Sequence, residues 1–310
     1  MKFHIFVDGM TNKMFGIWNE SCSDIKNSNN ALVLRINGNG TEKFIDRENE
    51  IESWVALEKV KAAPKLHCLF ENGLCMDFVK GKTLTVETIK SEQISTKIAG
   101  LMANCHSLKS DEVPEGNDQA GCWRFVDQFL MNAKTFPKNF SKHFLTSFAQ
   151  QFKRDVEMKC RVNQKLSFCH NDLLVGNILW DDVEQKVSFI DYEYAGWNYA
   201  AFDVANHFCE YTGLDVLDYE TNYPKKVERK LFCEKYLTER NGTDVSADDV
   251  IDFMDDVQVM TIASHLAWGA WALVQADISD IDYDFMEYAG IRFDEMVKSA
   301  KEMFNFHETI

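Results

Sequence analysis

At 310 residues, with 45% hydrophobic and 26% charged side chains, the chain has an ordinary globular balance and enough length for one large domain or two lobes around a sizeable core. Lys and Arg number 33 against 49 Asp and Glu, a formal net charge of −16. No basic stripe stands out, which argues against a nucleic-acid binder; a negative field draws cations and suits a cationic substrate.

Phe3–Val7 reads as a short strand of β-formers broken by Asp8 and Gly9, and the run is too short for a signal peptide. Met14–Trp18 can return as its partner, and Ala31–Ile36 is a third apolar run with Arg35 near its end. From Glu48 to Val60 the pattern turns helical, with Ile51, Trp54 and Val55 at i, i+3 and i+4 and Asp46 as N-cap. Leu66–Phe70 and Leu74–Val79 read as two more strands about a turn at Asn72 and Gly73. From Thr83 onward the patterns are helical, Ile94 to His106 most clearly. They are interrupted by strand-like runs at Leu166–Phe168, Ile178–Trp180 and Val187–Ile190. The most apolar helix-like stretch, Ala263 to Ala276, holds His265 and Gln275 and falls short of the roughly 20 residues that span a bilayer. Nine cysteines include no C-x-x-C pair, so they read as reduced, mostly packed thiols. The expectation is a soluble cytoplasmic α+β protein in two lobes: residues 1–80 small and β-rich, residues 81–310 larger and mainly helical, with an embedded hairpin.

The strongest chemical signal lies between Ser167 and Leu179. His170, Asp172 and Asn177 fit the H-x-D-x-x-x-x-N catalytic loop of kinases. A five-residue step on one loop lets Asp172 reach a substrate hydroxyl while Asn177 reaches a metal in the same cleft. The apolar run after it ends in Asp191, placed to bind Mg²⁺ as the Asp of a D-F-G triplet does, although Tyr192 and Glu193 follow here. Two other readings remain open at this point: a buried turn held by its own hydrogen bonds, and a hydrolase metal site of His170, Asp172, Asp191, Asp203 and His207. The run from Asp8 to Lys13 is the candidate loop over ATP phosphates. It lacks G-x-G-x-x-G, but Gly9, Thr11, Asn12 and Lys13 offer backbone N–H groups and side chains to phosphate. Arg35 is placed to act as the strand Lys of kinases does, with Glu50 as its helix partner. Met76 to Val79, with Asp77 and Val79, is the candidate hinge against adenine.

These residues resemble the choline/ethanolamine kinase family over nearly the whole chain. The matching stretches are Asp8 to Lys13, His170 to Leu179, Ile190 to Gly196, Asn198 and Tyr199 with Phe202 and Asp203, Asn206 to Phe208 with Glu210, and Ala263 to His265 with Trp268 and Trp271. The resemblance implies a protein-kinase-like fold, ATP and Mg²⁺ as cofactors, and phosphorylation of a small amino alcohol on the way to phospholipids. Three stretches look more like the ethanolamine-directed members than the choline-directed ones: Gly38 to Arg47, Gly73 to Phe78, and Tyr211 to Pro224. The family's amine pocket carries over to Tyr194, Glu210, Trp268, Trp271 and Tyr288. An ammonium gains about 0.5–2 kcal/mol from each aromatic face, and Trp268 and Trp271, three apart on one helix, share a side. Plain core packing also explains a Trp pair on an apolar helix. Choline kinase and a catalytically silent binding protein of the same fold are the alternatives; the latter needs loss of Asp172 or Asp191, and both are present. A homodimer is compatible with the resemblance, less any contact made by the family's usual segment ahead of the phosphate loop, because the chain begins almost at that loop.

Overall fold

A computed structural model describes residues 1–6, 12–28, 30–38, 46–109, 119–159, 166–213 and 217–304. Its first part is one antiparallel sheet made of Lys2–Phe6 (β1), Asn12–Trp18 (β2), Leu32–Asn37 (β3), Leu66–Phe70 (β4) and Gly73–Asp77 (β5), in the order β1-β2-β3-β5-β4. Alternation along β3 buries Val33 and Arg35 on one face. Arg47–Lys59 (α1) lies against that face, capped by Asp46, whose side chain accepts the Asn49 N–H at 3.1 Å. The buried stripe of α1 is Glu50, Ser53, Trp54, Ala56 and Leu57. The apolar periodicity points to Ile51, Trp54 and Val55; Trp54 is buried and Ile51 packs at the edge of the core, but Val55 is exposed. A charged residue takes the inner stripe because its partner Arg35 is already buried there.

The β4–β5 turn falls at Glu71 and Asn72, one residue earlier than the Asn-Gly pair suggested, and Gly73 opens β5 opposite Ile36. A Cβ on Gly73 would meet the Arg35 carbonyl oxygen at 2.0 Å, so the glycine is required by a close strand approach.

The remainder is helical around two small sheets. Its helices are Glu92–His106 (α2), Gly121–Asn132 (α3), Lys142–Lys159 (α4), Ala200–Cys209 (α5), Lys226–Asn241 (α6), Ala247–Ile278 (α7) and Phe285–Phe304 (α8). Lys82–Thr83 (β6), Ile178–Asp181 (β8) and Lys186–Phe189 (β9) form one sheet; Leu166–Cys169 (β7) pairs with Gly196–Tyr199 (β10). Ala263–Ala276 is thus part of a 32-residue helix that starts at a Ser246/Asp249 capping box. By length and composition α7 could cross a membrane, but 89% of its most apolar window is buried in this fold, against α3, α5 and α8. The β8–β9 pairing of Ile178 with Phe189, continued by the Ile190 N–H to Asn177 carbonyl bond of 3.0 Å, sets Asn177 and Asp191 side by side. Tyr192 joins the two parts: its hydroxyl meets the carbonyl oxygens of Ala62 and Phe189 at 2.7 and 2.6 Å, and its ring stands edge-on to Trp54.

Candidate active site

The loop between β7 and β8 is held from beneath by one carboxylate. Asp203 on α5 accepts the backbone N–H groups of His170 and Asn171 at 3.0 and 2.7 Å, and lies 2.9 Å from His106 Nε2. Burial works against the Asp203 charge, but His106 and the loop amides hold its carboxyl below the ordinary range. Asn171 sits at φ 69°, a left-handed conformation that Asn tolerates. Its side chain donates to the Tyr194 carbonyl at 2.8 Å and accepts from Asn198 at 2.9 Å, while its own carbonyl accepts from Asn206 at 3.1 Å. Burial pushes the His170 imidazole down to about 4, so it is neutral; Nδ1 accepts the Asp172 N–H and Nε2–H donates to the Ile190 carbonyl at 3.1 Å. Asp203 is therefore not a free ligand of a hydrolase-type metal site, because it carries the loop amides; His207 Nδ1 lies 3.0 Å from the Leu173 carbonyl, while its buried Nε2 has no hydrogen-bond partner among the described residues.

Above this floor, Asn177 Nδ2 donates to the Asp172 carbonyl and carboxylate at 2.9 and 3.0 Å. Asp191, at φ 66°, buries an Oδ1 that has no hydrogen-bond partner among the described residues. Glu193, two residues on, does the same with Oε2, whose nearest cation among the described residues is Arg47 at 3.7 Å. Burial pushes the Asp191 carboxyl up to about 6, against the pull of Arg35, and that of Glu193 up to about 8, with repulsion from Asp191 and Glu50 adding to it. Burial first, then the charges of Asp191, Glu210 and Glu193, raises Asp172 well above its ordinary value. Crowded oxygen donors, two of them buried without a hydrogen bond among the described residues, fit a small hard dication, which would relieve the repulsion. In sequence Glu193 stands as a departure from D-F-G inside the matching stretch Ile190 to Gly196, with no role of its own. Its i+2 spacing from Asp191 was the available signal.

The cationic side of the cleft is built on β3 and α1. Arg35 donates twice to Glu50, at 2.5 and 2.8 Å, both side chains being buried. Desolvation opposes the charge on each, yet the pair holds the guanidinium raised and the carboxyl lowered. Arg47, missed in the sequence, bonds Glu50 at 2.8 Å and reaches Asn12 Oδ1 at 3.4 Å. Asn12 thus lies on the Arg35 face of the sheet, and alternation turns the exposed Lys13 to the other face, away from the site. Gly9 and Thr11 lie outside the described residues. At the proposed hinge the Asp77 N–H is committed to the Lys65 carbonyl at 2.9 Å and its carboxylate to His67, which leaves Val79 as the available backbone.

The aromatic group forms as the sequence placed it. Trp271 Nε1 donates to the Tyr194 hydroxyl at 3.0 Å, Trp268 stands edge-on to both rings, and Phe285 adds to Trp271. The buried Trp268 Nε1 has no hydrogen-bond partner among the described residues. A cavity of about 450 Å³ opens beside this group between α7 and α8, lined by Gln275, Asp282, Tyr283 and Phe285 among others. Tyr288 is buried on α8. Glu210 departs from the expected free countercharge: it pairs with Arg292 at 3.3 Å. The charges of Asp172 and Asp191 both bear on the buried Tyr194 hydroxyl, so Tyr194 links the aromatic group to the candidate base.

The family described as choline/ethanolamine kinase matches residues 3–297. Mouse ethanolamine kinase 2 is 35% identical over 96% of this chain and 77% of its own length; a probable choline kinase of Arabidopsis thaliana is 31% identical over 92% and 83%. Among solved structures, a Plasmodium vivax ethanolamine kinase superposes with a TM-score of 0.81 at 27% identity, over 95% of this chain and 81% of that one. A macrolide 2'-phosphotransferase at 14% identity and a TM-score of 0.60, over 95% and 90% of the two chains, shares the fold alone.

Proposed function

The chain belongs to the choline/ethanolamine kinase family, and from that premise we propose that it transfers the γ-phosphoryl group of ATP to the hydroxyl of ethanolamine, the first step of headgroup activation for phosphatidylethanolamine. The observation that carries this is that Tyr194, which meets Trp268 and Trp271, also lies close to the carboxylates of Asp172 and Asp191, in a chain with ethanolamine kinases among its relatives. Asn177, Asp191 and Glu193 would hold Mg²⁺, which supplies charge neutralisation to the phosphates. Arg35, fixed by Glu50, and Asn12 face the phosphate side, and Val79 offers a backbone edge to adenine. Asp172 orients the acceptor hydroxyl and takes its proton. Tyr194, Trp268, Trp271 and Tyr288 present ring faces to the ammonium, with Glu210 as its acceptor.

Choline kinase is the second reading, favoured by the ring count, since ring faces hold a quaternary ammonium equally well. Steady-state ADP release with each amine at saturating Mg-ATP decides between them. A larger kcat/KM for ethanolamine is expected; a larger one for choline moves the substrate assignment, and release with neither rejects both.

A further inference from the structure

Arg292 lies outside every motif that singled out the site, yet it is only 1% exposed. Its NH1 donates to Glu210 Oε1 at 3.3 Å and to the Tyr288 hydroxyl at 2.9 Å; NH2 donates to Ser264 Oγ at 2.9 Å. Ser264 donates to Asn206 Oδ1 at 2.8 Å, and Asn206 Nδ2 donates at 3.1 Å to the carbonyl of Asn171, the residue before Asp172. The guanidinium carbon stands 5.6 Å from the Tyr288 ring and 6.0 Å from that of Tyr219. One oxygen of Glu210 is therefore committed, and Oε2 has no hydrogen-bond partner among the described residues.

We propose that Arg292 is the positioning residue that sets amine specificity: it offsets the charge of Glu210, fixes Oε2 as a single directed acceptor for a primary ammonium, and ties that acceptor to Asp172 through Ser264, Asn206 and Asn171. The inference rests on the amine reading of the site given above. A carboxylate already paired with a guanidinium attracts a distant cation weakly but still accepts a hydrogen bond strongly. Ethanolamine can use that acceptor and choline cannot, so the pair turns a general cation site into one that reads N–H groups.

The described groups facing Glu210 are Arg292 and Tyr288 from α8, Tyr219, the adjoining Cys209, and Asp172 from the loop; Arg292 is the cation among them. Burial already raises the Glu210 carboxyl, with Arg292 pulling it back. Without that cation the carboxyl takes up a proton at higher pH than in the wild type and stops accepting. Alkaline solution restores the anion.

The test is steady-state kinetics of Arg292→Gln and Arg292→Lys with ethanolamine and choline, from pH 6 to 9, together with KM for ATP. In Arg292→Gln the ethanolamine KM should rise about 10- to 100-fold, the worth of one charge-assisted hydrogen bond. The choline and ATP values should hold within about threefold. The ethanolamine loss should shrink as pH rises, and Arg292→Lys should recover most of it. Equal losses for both amines, or a fall in kcat with unchanged amine KM, would make Arg292 a packing residue and overturn the proposal. If Arg292→Gln does not fold, Ser264→Ala decides: a narrowed ethanolamine-to-choline ratio supports the proposal, and an unchanged ratio overturns it. Wild-type enzyme that releases no ADP with either amine would instead remove the amine reading itself, and the proposal with it.

Discussion

Asn177 spends its Nδ2 on Asp172, so the amide oxygen is what it can offer a cation, while the same bond fixes the rotamer of the candidate base. Asp172→Asn keeps the shape and removes the proton acceptor. Its kcat should fall by about 10²–10⁴, with the KM for ATP nearly unchanged. Near-wild-type turnover would take Asp172 out of the mechanism. The residues that sequence found here are those whose spacing encodes their meeting: Asp172 and Asn177 on one loop, Asp191 at the end of the following strand, Trp268 and Trp271 one helical turn apart. Arg292 was not legible because it acts through a partner far away in sequence; Arg47 and Glu193 stand three residues from Glu50 and two from Asp191, and were missed because a charged residue close to another reads as solvated until the fold buries the pair. Arg292 meets Glu210 across 82 positions, and a lone Arg on an amphipathic helix looks like any solvated charge until the fold buries it.

Among elements, the first sheet was legible nearly strand for strand, because its apolar runs are bounded by turn residues. In α1 the Arg35–Glu50 pairing and the burial of Trp54 were legible, but Val55 is exposed, because hydrophobic periodicity gives no weight to a buried ion pair and Glu50 takes a place on the inner stripe. Two short strands, β6 and β10, escaped notice; two to four residues such as Lys82–Thr83 or Gly196–Tyr199 carry no period to detect. The first turns of α7, rich in Asp, hid its full length. Gly73 shows how an element serves the site at a distance. Gly73→Ala would force β5 away from the Arg35 carbonyl, since strand backbone and not a flexible side-chain tip stands 2.0 Å from the new methyl. We expect a loss of about 1–3 kcal/mol in urea unfolding and a raised KM for ATP through displacement of Arg35. A variant with unchanged stability would show that the two strands separate freely.

For the molecule as a whole, the acidic balance and the crowded carboxylates make stability depend on pH. A folded carboxyl raised above its unfolded value binds more protons in the folded state, so its contribution is present at low pH and lost as pH rises through the folded value. For Asp191 and Glu193, raised to about 6 and about 8, that loss runs from roughly pH 5 to 8. His170 and His207, both pushed down to about 4, act in the opposite sense below about pH 6.5 and then stop contributing. The metal-free protein should therefore lose stability between pH 6.5 and 8. Glu193→Gln should flatten that decline, and Mg²⁺ should oppose it increasingly as pH rises. Melting temperatures that rise across this window in the metal-free wild type would contradict the assignment. The Asp203 clamp has a different consequence, one of time rather than energy. The amide protons of His170 and Asn171 end on a carboxylate with 1% exposure, and opening either bond would leave a charge stranded in the core. In heavy water these two amides should exchange only when the whole chain unfolds, on the slow schedule of the central helix. If they do, the loop that carries the base is standing equipment between turnovers, and whatever movement sets the pace of the cycle takes place somewhere else. Exchange within seconds would show instead that the loop opens and re-forms locally in the folded protein.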